Sequence, residues 1–459
     1  MMLFGDFFTG ECNEILMIEE GTMMNFKEKC ELLTYLQEKS YVEDFDEKDY
    51  SILSELSYDE DAYIRAVVAE TLVESSDEKG EQILLRLTKD HDWLVRTDAC
   101  DSLCISESVD TYNLLKEIAK KDTSGLVRGY AILSLENIAN RINRENELIE
   151  FLEERIIKEK VQFTRINTYT ALYKLGREKY LKNLLSMFNS KKYENRHSVV
   201  ESLHEIFDDS NKNEIITALL EHKKVETAGS VIYRINDIIE EIFLIDLKEK
   251  SDEKGIDEKD FCRLKEISVE GSCNNRGLAA RVLVNSNLKE GEKILQRLAH
   301  DNDLFVRMEA CDSLCNGKSL KTYKLLKNIG EKDTSGLVRG YAIASLGDVA
   351  IEINQQYDLI EFLKRRLLNE KVEFARIYIF SVLYSLGIEE YLANLLSMLN
   401  SKRYQNRQTV VENLSEIVND SNKEVIRTTL IEHKKIETKC SVISEINEVL
   451  EQIERDWDE

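Results

Sequence analysis

Two pairs of cysteines are the side chains in this sequence whose type and spacing could do chemistry. Cys100 and Cys104 stand four residues apart, and so do Cys311 and Cys315. On a helix this spacing puts both thiols on one face, where two thiolates could hold part of a zinc site. A closed zinc site needs four nitrogen or sulfur ligands, and no neighbouring His or Cys recurs beside both pairs. We therefore expect no metal site and interpret the four cysteines as small buried core residues.

Histidines and short motifs give no sign of catalysis. The six histidines are scattered, and only His222 and His433 stand in equivalent strings, "EHKKVET" and "EHKKIET". We expect these two to be exposed at helix ends. The sequence contains no GxGxxG, GxxxxGK[ST], HExxH or GxSxG motif. We therefore predict no catalytic residue, no cofactor and no enzymatic activity.

Composition favours an acidic, helical protein. The 459 residues include 87 acidic and 62 basic side chains, for a formal charge of −25, and no proline. Average usage would give about 20 prolines in this length, and their absence beside many Glu, Lys and Leu residues favours helices. A surface this acidic repels phosphate backbones, so nucleic acid is an unlikely partner. Nine cysteines without a dense framework, and no apolar run of membrane-spanning length, predict a cytoplasmic protein that does not enter a membrane.

A long repeat organises the chain. The string "KDTSGLVRGYAI" occupies residues 121–132 and returns at 332–343, and "ACDSLC" at 99–104 returns at 310–315. Because the sequence matches itself at an offset of 211 residues without gaps over most of its length, we predict a tandem duplication. The expected domains are an N-terminal segment over 1–29, a first half over 30–240 that starts with a capping helix at 30–40, and a second half over 241–459. For the string "LKEKSDEKGIDEKD" at 247–260, centred on Gly255, we expect a longer helix in the sixth unit followed by a charged loop between the halves.

The N-terminal segment is expected to be partly disordered or to reflect a mis-assigned start. The letters "EEGT" before Met23 and Met24 resemble a translated ribosome-binding site, in which case residues 1–22 would not belong to the native protein.

A shorter period lies inside each half. Arginines recur every 31 to 37 residues, each followed by an apolar or small residue three positions later and usually by leucine seven positions later. These offsets put both side chains on one helical stripe, and another amphipathic run precedes each arginine. Two helices per unit predict an all-α fold, an α-solenoid of about twelve two-helix repeats in which each repeat covers its neighbour's apolar face.

Acidic residues six positions before the arginines predict a structural ladder. A carboxylate in the turn can accept hydrogen bonds from the first amides of the second helix, and the arginine fork can reach a carboxylate of its own or the adjacent repeat. Glu159, Glu270 and Glu370 keep the charge where aspartate is replaced. The predicted ladder comprises Asp59, Arg65, Asp90, Arg96, Asp122, Arg128, Arg165, Arg196, Arg276, Asp301, Arg307, Asp333, Arg339, Arg376 and Arg407.

The Asp-x5-Arg spacing, the "VR" of "WLVRTDACDSL" and "GLVRGYAILSL", and the two-helix units resemble HEAT repeats. The units of 31 or 32 residues are most similar to the phycobilisome-lyase-like HEAT subgroup. The resemblance covers about 50–240 and 261–450. It implies protein binding along a curved groove lined by the second helices, although a few members of the family are enzymes.

On that resemblance, positions one, two, five and nine after each arginine face the groove. They carry carboxylates and tyrosines, and Gly129 and Gly340 are expected to leave the backbone open beside the tyrosines. Acidic residues among aromatic rings suit a basic partner through ion pairs and cation–π contacts. The predicted groove comprises Glu70, Asp98, Asp101, Tyr130, Glu201, Glu205, Glu309, Asp312, Tyr341, Tyr378, Glu412 and Glu416.

Several functions remain open on the sequence alone. The first hypothesis is a non-enzymatic scaffold or inhibitor that binds a basic protein, with an immunity protein against a basic toxin as one concrete form. The second is a HEAT-like enzyme, either a chromophore lyase or a DNA glycosylase. The third is a spacer in which no surface is special. A glycosylase would need a basic groove, whereas the predicted groove is acidic.

Overall fold

The computed structural model describes residues 24–40, 45–73, 78–284 and 289–455. Within these residues the chain forms twenty-five α-helices and three short 3₁₀ turns, and no strand. The predicted all-α class is confirmed. The expectation for the N-terminal segment falls on residues 1–23, which lie outside the described ranges, and the first helix begins at Phe26.

The helices follow one another with short turns between them. In chain order they are α1 (Phe26–Ser40), α2 (Glu47–Leu56), α3 (Ala62–Thr71), α4 (Glu78–Leu87), α5 (Trp93–Ser102), α6 (Val109–Lys121), α7 (Gly125–Arg141), α8 (Glu145–Lys158), α9 (Gln162–Lys174), α10 (Tyr180–Ser186), α11 (Tyr193–Glu205), α12 (Lys212–Lys223), α13 (Gly229–Lys254), α14 (Glu258–Glu270), α15 (Cys273–Leu283), α16 (Lys289–Leu298), α17 (Leu304–Asp312), α18 (Leu320–Lys332), α19 (Gly336–Glu352), α20 (Gln356–Leu367), α21 (Glu373–Ser385), α22 (Tyr391–Ser397), α23 (Tyr404–Ile417), α24 (Lys423–Lys434) and α25 (Cys440–Arg455).

From α2 onward these helices form twelve pairs, each a first helix followed by a second helix. They belong to two compact units, of which the first holds α1 to α9 and the second α10 to α25. Within each unit every second helix packs against the second helix of the next pair, so α3, α5, α7 and α9 form one layer and the odd-numbered helices from α11 to α25 another. The α-solenoid of two-helix repeats is confirmed.

Buried small and apolar residues hold each layer together. The residues three and seven positions after each arginine are inaccessible to water, as at Ala99 and Leu103 or Ala342 and Leu346. Burying one leucine or isoleucine stabilises a fold by about 1.5–3 kcal/mol. Because these residues face the neighbouring repeat, the stability of each unit depends on the contacts between successive repeats.

Helix α1 precedes the first pair and packs on α3. Its buried residues Leu32, Leu33 and Leu36 cover the apolar face that the first repeat would otherwise expose. A helix that covers a terminal repeat is what a repeat fold needs for solubility.

The longer helix expected in the sixth unit is present, and the loop after it is shorter than the string 247–260. Helix α13 continues to Lys254, because Leu244 and Leu247 on its second half are buried in the core. It ends at Gly255, whose φ of 73° is in the left-handed region that glycine tolerates, and α14 begins after the N-cap Asp257. The sequence-based division at 240/241 falls within helix α13, and the two compact units meet between Glu178 and Lys179, so the division into duplicated halves stays a prediction.

Candidate functional site

Most second helices start beside a carboxylate that performs two structural tasks. In the α18–α19 turn, the Asp333 carboxylate accepts a hydrogen bond from the amide of Ser335 at 2.9 Å, two residues further along the chain. It also accepts from Arg307 of the preceding repeat, whose Nε lies 2.9 Å away. The same arginine donates through Nη1 to the carbonyl oxygen of Asp301 in its own turn. One arginine therefore joins two consecutive turns.

This pattern extends along both units. Bidentate contact with a carboxylate of the next repeat occurs in the pairs Arg65–Asp90, Arg96–Asp122, Arg128–Glu159, Arg196–Glu226, Arg276–Asp301, Arg307–Asp333, Arg339–Glu370 and Arg407–Glu437. Burial by itself would raise the pKa of Glu370, but the hydrogen bond and charge of Arg339 outweigh it and lower that pKa below its usual range. The ladder therefore consists of ionised pairs.

Asp59 stands at the start of the ladder and has no arginine before it. Lys29 of α1 takes that place, with its Nζ 2.5 Å from the Asp59 carboxylate. Burial opposes this arrangement by raising the pKa of Asp59, but the hydrogen bond from Lys29 prevails and lowers it. Helix α1 therefore supplies the cation that pairs with the first carboxylate of the ladder.

Two predicted ladder arginines have a different environment. Arg376 donates to the carbonyl oxygen of Glu370 and lies over the ring of Phe380, 5.4 Å from its centroid. Arg165 donates to the hydroxyl of Tyr169. The repeats that follow them have Ser401 and Ser190 where other repeats have the acid, which explains why these two arginines bind locally.

The sixth repeat of each half contains ladder residues that the sequence reasoning missed. Glu226 and Glu437 supply its carboxylates, and both are buried. His222 and His433 place their Nε2 atoms 2.8 and 3.1 Å from these carboxylates. The expectation of exposed histidines is wrong, because each imidazole packs against a buried acid four residues further along the chain, in the turn that follows the helix. The match of "HKKVE" with "HKKIE" was the available signal.

The glycines beside the tyrosines do not leave the backbone open. A Cβ on Gly129 would lie 2.7 Å from the Phe163 ring, and one on Gly340 would lie 2.8 Å from the Phe374 ring. The aromatic ring of the next second helix therefore covers each glycine. Glycine is needed here for this close approach between helices.

In the first unit, three predicted groove carboxylates come together. Burial, with the negative charges of Glu70 and Asp101 acting in the same direction, raises the pKa of Asp98 to about 7. Burial also raises the pKa of Glu70 and that of Asp101. Within the described residues no basic side chain forms an ion pair with these three carboxylates. A cation placed between α3 and α5 would therefore be attracted.

A larger set of acids and tyrosines occurs in the second unit, and we call it the acidic–tyrosine surface. Burial, together with the negative charges of Asp312, Glu309 and Glu412, raises the pKa of Tyr341 to about 12. These charges must lie near the hydroxyl to act on it, so α17, α19 and α23 contribute to one surface. The surface comprises Glu309, Asp312, Tyr341, Asp348, Tyr378, Glu412 and Glu416.

Aromatic rings form the centre of the acidic–tyrosine surface. The Tyr341 and Tyr378 ring centroids are 5.7 Å apart, and Phe374 lies 5.5 Å from the first and 5.2 Å from the second. Both tyrosines are half-buried, so part of each ring is accessible. In the described part of the chain, the ion pair of this surface is Arg281 with Glu309, at 3.5 Å. Negative charge therefore exceeds positive charge around accessible rings.

The remaining predicted groove residues have other environments. Arg234 binds the Glu201 carboxylate in a bidentate fashion at 2.8 and 2.9 Å, which neutralises it. Glu205 is exposed on the same helix. Tyr130 lies in the first unit, with its ring centroid 5.7 Å from that of Phe163.

Two acidic residues beside this surface were missed. Asp348 stands nine positions after Arg339, which is one of the positions predicted to face the groove. Burial raises the pKa of Asp348. Glu445 occupies the place in α25 that Arg234 has in α13, so a neutralising arginine in one half is an acid in the other. Burial and the charges of Glu412 and Glu448 raise its pKa.

The cysteine pairs do not assemble a metal site in the described ranges, where no cluster of three or more His, Cys, Asp or Glu side chains could hold an ion. Cys100 and Cys311 are buried, and burial raises the pKa of each thiol. Cys104 and Cys315 are only half-buried. Among the described helices, none is long and apolar enough to span a bilayer.

Comparison with known proteins supports the repeat assignment. Residues 51–136 match the family described as HEAT repeats. No curated protein matches the chain.

Similar solved structures include human deoxyhypusine hydroxylase in complex with glycerol, which is 15% identical over 78% of this chain and 99% of that chain with a TM-score of 0.25. The Kap95:Nup1 complex is 13% identical over 93% of this chain and 64% of that chain, with a TM-score of 0.37. Kap121p bound to Pho4p is 14% identical over 93% and 54%, with a TM-score of 0.32. At these identities and TM-scores, none of these structures informs function. The matched segment is similar to HEAT repeats, and the described residues form an α-solenoid of two-helix repeats.

Proposed function

We propose that this chain is a non-enzymatic scaffold or inhibitor that binds a basic protein through the second-helix layer. The observation that carries the proposal is the acidic–tyrosine surface, where Asp312, Glu412 and Glu416 surround the accessible rings of Tyr341 and Tyr378. Carboxylates held close together in partial burial repel one another, so a cation that binds among them relieves this repulsion. Lysine or arginine side chains of a partner would supply the missing positive charge.

The tyrosine rings add a second source of affinity. A guanidinium or ammonium group over an aromatic face gains about 0.5–2 kcal/mol, with the larger values where water is excluded. The rings of Tyr341, Tyr378 and Phe374 are held by mutual contact, so their orientation is fixed before a partner arrives. A preorganised aromatic centre with charged neighbours is typical of protein-binding hot spots.

Binding of a fluorescent nona-arginine peptide to the full chain tests the proposal by anisotropy. The variant D312K/E412K should lower the affinity by at least about tenfold, and raising the salt concentration should weaken binding of the native chain. The matched control is E361K/E389K, which changes the same total charge at exposed positions outside this surface. A native chain that does not bind the peptide, or a control variant that loses as much affinity, would contradict the proposal.

Finer parts of the proposal rest on the sequence. We propose a cytoplasmic location, because none of the cysteines that the structure describes forms a disulfide. A tandem duplication of a six-unit block is supported by helices that recur at equivalent positions, such as Gly125–Arg141 and Gly336–Glu352. The likeness to the short-unit HEAT subgroup and the specific form of an immunity protein against a basic toxin belong to the same proposal. A DNA glycosylase would need positive charge where the described second helices carry acids.

A further inference from the structure

A second charged surface lies on two turns of the second unit, each of which connects the first helix of a repeat to its second helix. In the second unit, α11 is preceded by Lys191 and Lys192, and α12 ends near Lys223 and Lys224. All four side chains are exposed, and Val225 at the tip of the second turn is 74% exposed. Exposed lysines therefore flank an exposed aliphatic side chain. We call these five residues the lysine edge.

A ladder arginine fixes the two turns of the lysine edge side by side. Arg196 donates through Nη1 to the carbonyl oxygen of Ser190 at 2.9 Å. Its Nε and Nη2 atoms donate to the two carboxylate oxygens of Glu226, each at 2.6 Å. Because Ser190 precedes the first lysine pair and Glu226 follows Val225, one guanidinium sets the spacing of the whole edge.

The same arrangement occurs again near the end of the second unit. Arg407 joins the carbonyl oxygens of Ser401 and Lys402 to the Glu437 carboxylate. Lys402, Lys434 and Lys435 are exposed, and Ile436 is 71% exposed. We call Lys402, Lys434, Lys435 and Ile436 the second lysine edge.

Positive charge exceeds accessible negative charge on both edges. Lys224 pairs with Glu221 at 2.6 Å, whereas Lys191, Lys192 and Lys223 form no ion pair within the part of the chain that the structure describes. Glu226 is buried beneath Arg196 and His222 and cannot attract a partner. Glu194 opposes the first edge, and the equivalent position of the second edge is the neutral Gln405. In a chain of formal charge −25, these edges are local exceptions.

We propose that each lysine edge docks an acidic protein segment that carries an aliphatic side chain. Lysines attract carboxylates without demanding a fixed geometry, since the ammonium is a compact charge on a flexible stem. Val225 and Ile436 each expose apolar surface that a leucine or isoleucine of the partner would cover, whereas a phosphodiester backbone offers nothing apolar to cover it. This surface goes beyond the proposed function, because it is separate from the acidic–tyrosine surface and selects a partner of the opposite charge. The chain would then hold a basic and an acidic protein at once.

A labelled peptide of six glutamates flanking two leucines, added to the full chain, tests this proposal by fluorescence anisotropy. Two peptides should bind per chain, with an affinity that falls as salt rises. The variant K223E/K224E/K434E/K435E should weaken binding by about tenfold or more. The variant V225S/I436S should weaken binding of this peptide several-fold but not binding of a peptide whose leucines are replaced by serine.

The matched control K182E/K293E/K324E/K364E changes the same charge at exposed lysines outside both edges. Its affinity for the peptide should stay close to that of the native chain once circular dichroism shows that all variants are folded. The proposal is overturned if the glutamate peptide does not bind, or if the edge and control variants lose equal affinity. Binding of duplex DNA with the same sensitivity to the edge variant, without peptide binding, would assign the edges to nucleic acid and also overturn it.

Discussion

Loss of one ladder carboxylate should destabilise the second unit strongly. Glu370 is 3% exposed and accepts hydrogen bonds from Arg339 at 2.8 and 2.9 Å. The substitution E370Q keeps the size and one acceptor but removes the negative charge, and Arg339, itself 8% exposed, keeps its positive charge. Breaking a buried pair by removing one partner costs about 3–5 kcal/mol. Because Arg366 also donates to Glu370 and would lose its partner, we expect a loss of about 3 kcal/mol or more.

Urea unfolding followed by far-ultraviolet circular dichroism measures this loss. The control is E361Q, which removes a charge from an exposed position of the same repeat and should change the free energy of unfolding by less than about 0.5 kcal/mol. The double variant R339M/E370Q should cost less than the sum of the single variants, because the second change removes the charge that the first left uncompensated. A loss below about 1 kcal/mol for E370Q, or strict additivity of the pair, would refute the role assigned to the ladder.

Three further predictions concern other parts of the chain. Burial raises the pKa of Asp98 to about 7. At pH values between the unfolded and the folded pKa of Asp98, the native state binds a proton that the unfolded state does not, so stability falls as pH rises through that range. D98N should therefore stabilise the chain at pH 8 by about 1–2 kcal/mol, after allowance for solvent screening, and change little at pH 4, as urea titrations at the two pH values would show. The hydrogen bond from Arg407 lowers the pKa of Glu437 to about 2. The ionised Glu437 therefore stabilises the fold at pH values above the ordinary glutamate pKa, and this stabilisation is lost as pH falls towards 2. E437Q should make the free energy of unfolding depend less on pH in that range, and an unchanged dependence would contradict this. G340A should lower the free energy of unfolding by about 1–3 kcal/mol, because the added Cβ would contact the Phe374 ring. G387A is the comparison in the same urea titrations. Gly387 has a φ of 89° and open space around it, so this variant measures backbone strain without crowding.

Much of the fold was predictable because each repeat obeys local rules. The offsets of three and seven residues after each arginine gave the buried stripe correctly, as at Val199 and Leu203. The exact length of the charged loop within 247–260 was not predictable, because the charged letters hide Leu247, whose burial depends on neighbouring helices that a local pattern does not show.

Individual side chains were harder to predict than helices. A carboxylate that is predicted to face the groove looks the same in the sequence whether or not an arginine of the next repeat neutralises it. Arg234 neutralises Glu201 in this way. His433 looked exposed because lysines follow it, yet its ring turns towards Glu437 one helical turn later. These differences depend on which side chain of the neighbouring repeat lies opposite, which a single repeat does not specify.

Isothermal titration calorimetry of the arginine peptide is the most direct test of the central claim, that the carboxylates around Asp98 and in the acidic–tyrosine surface outnumber the cations beside them. The titration is run near pH 7 in two buffers of different ionisation enthalpy. A cation bound beside Asp98 or the acidic–tyrosine surface lowers the raised carboxyl pKa values, so we expect protons to be released on binding. Equal binding enthalpies in the two buffers, with no proton release, would contradict the account.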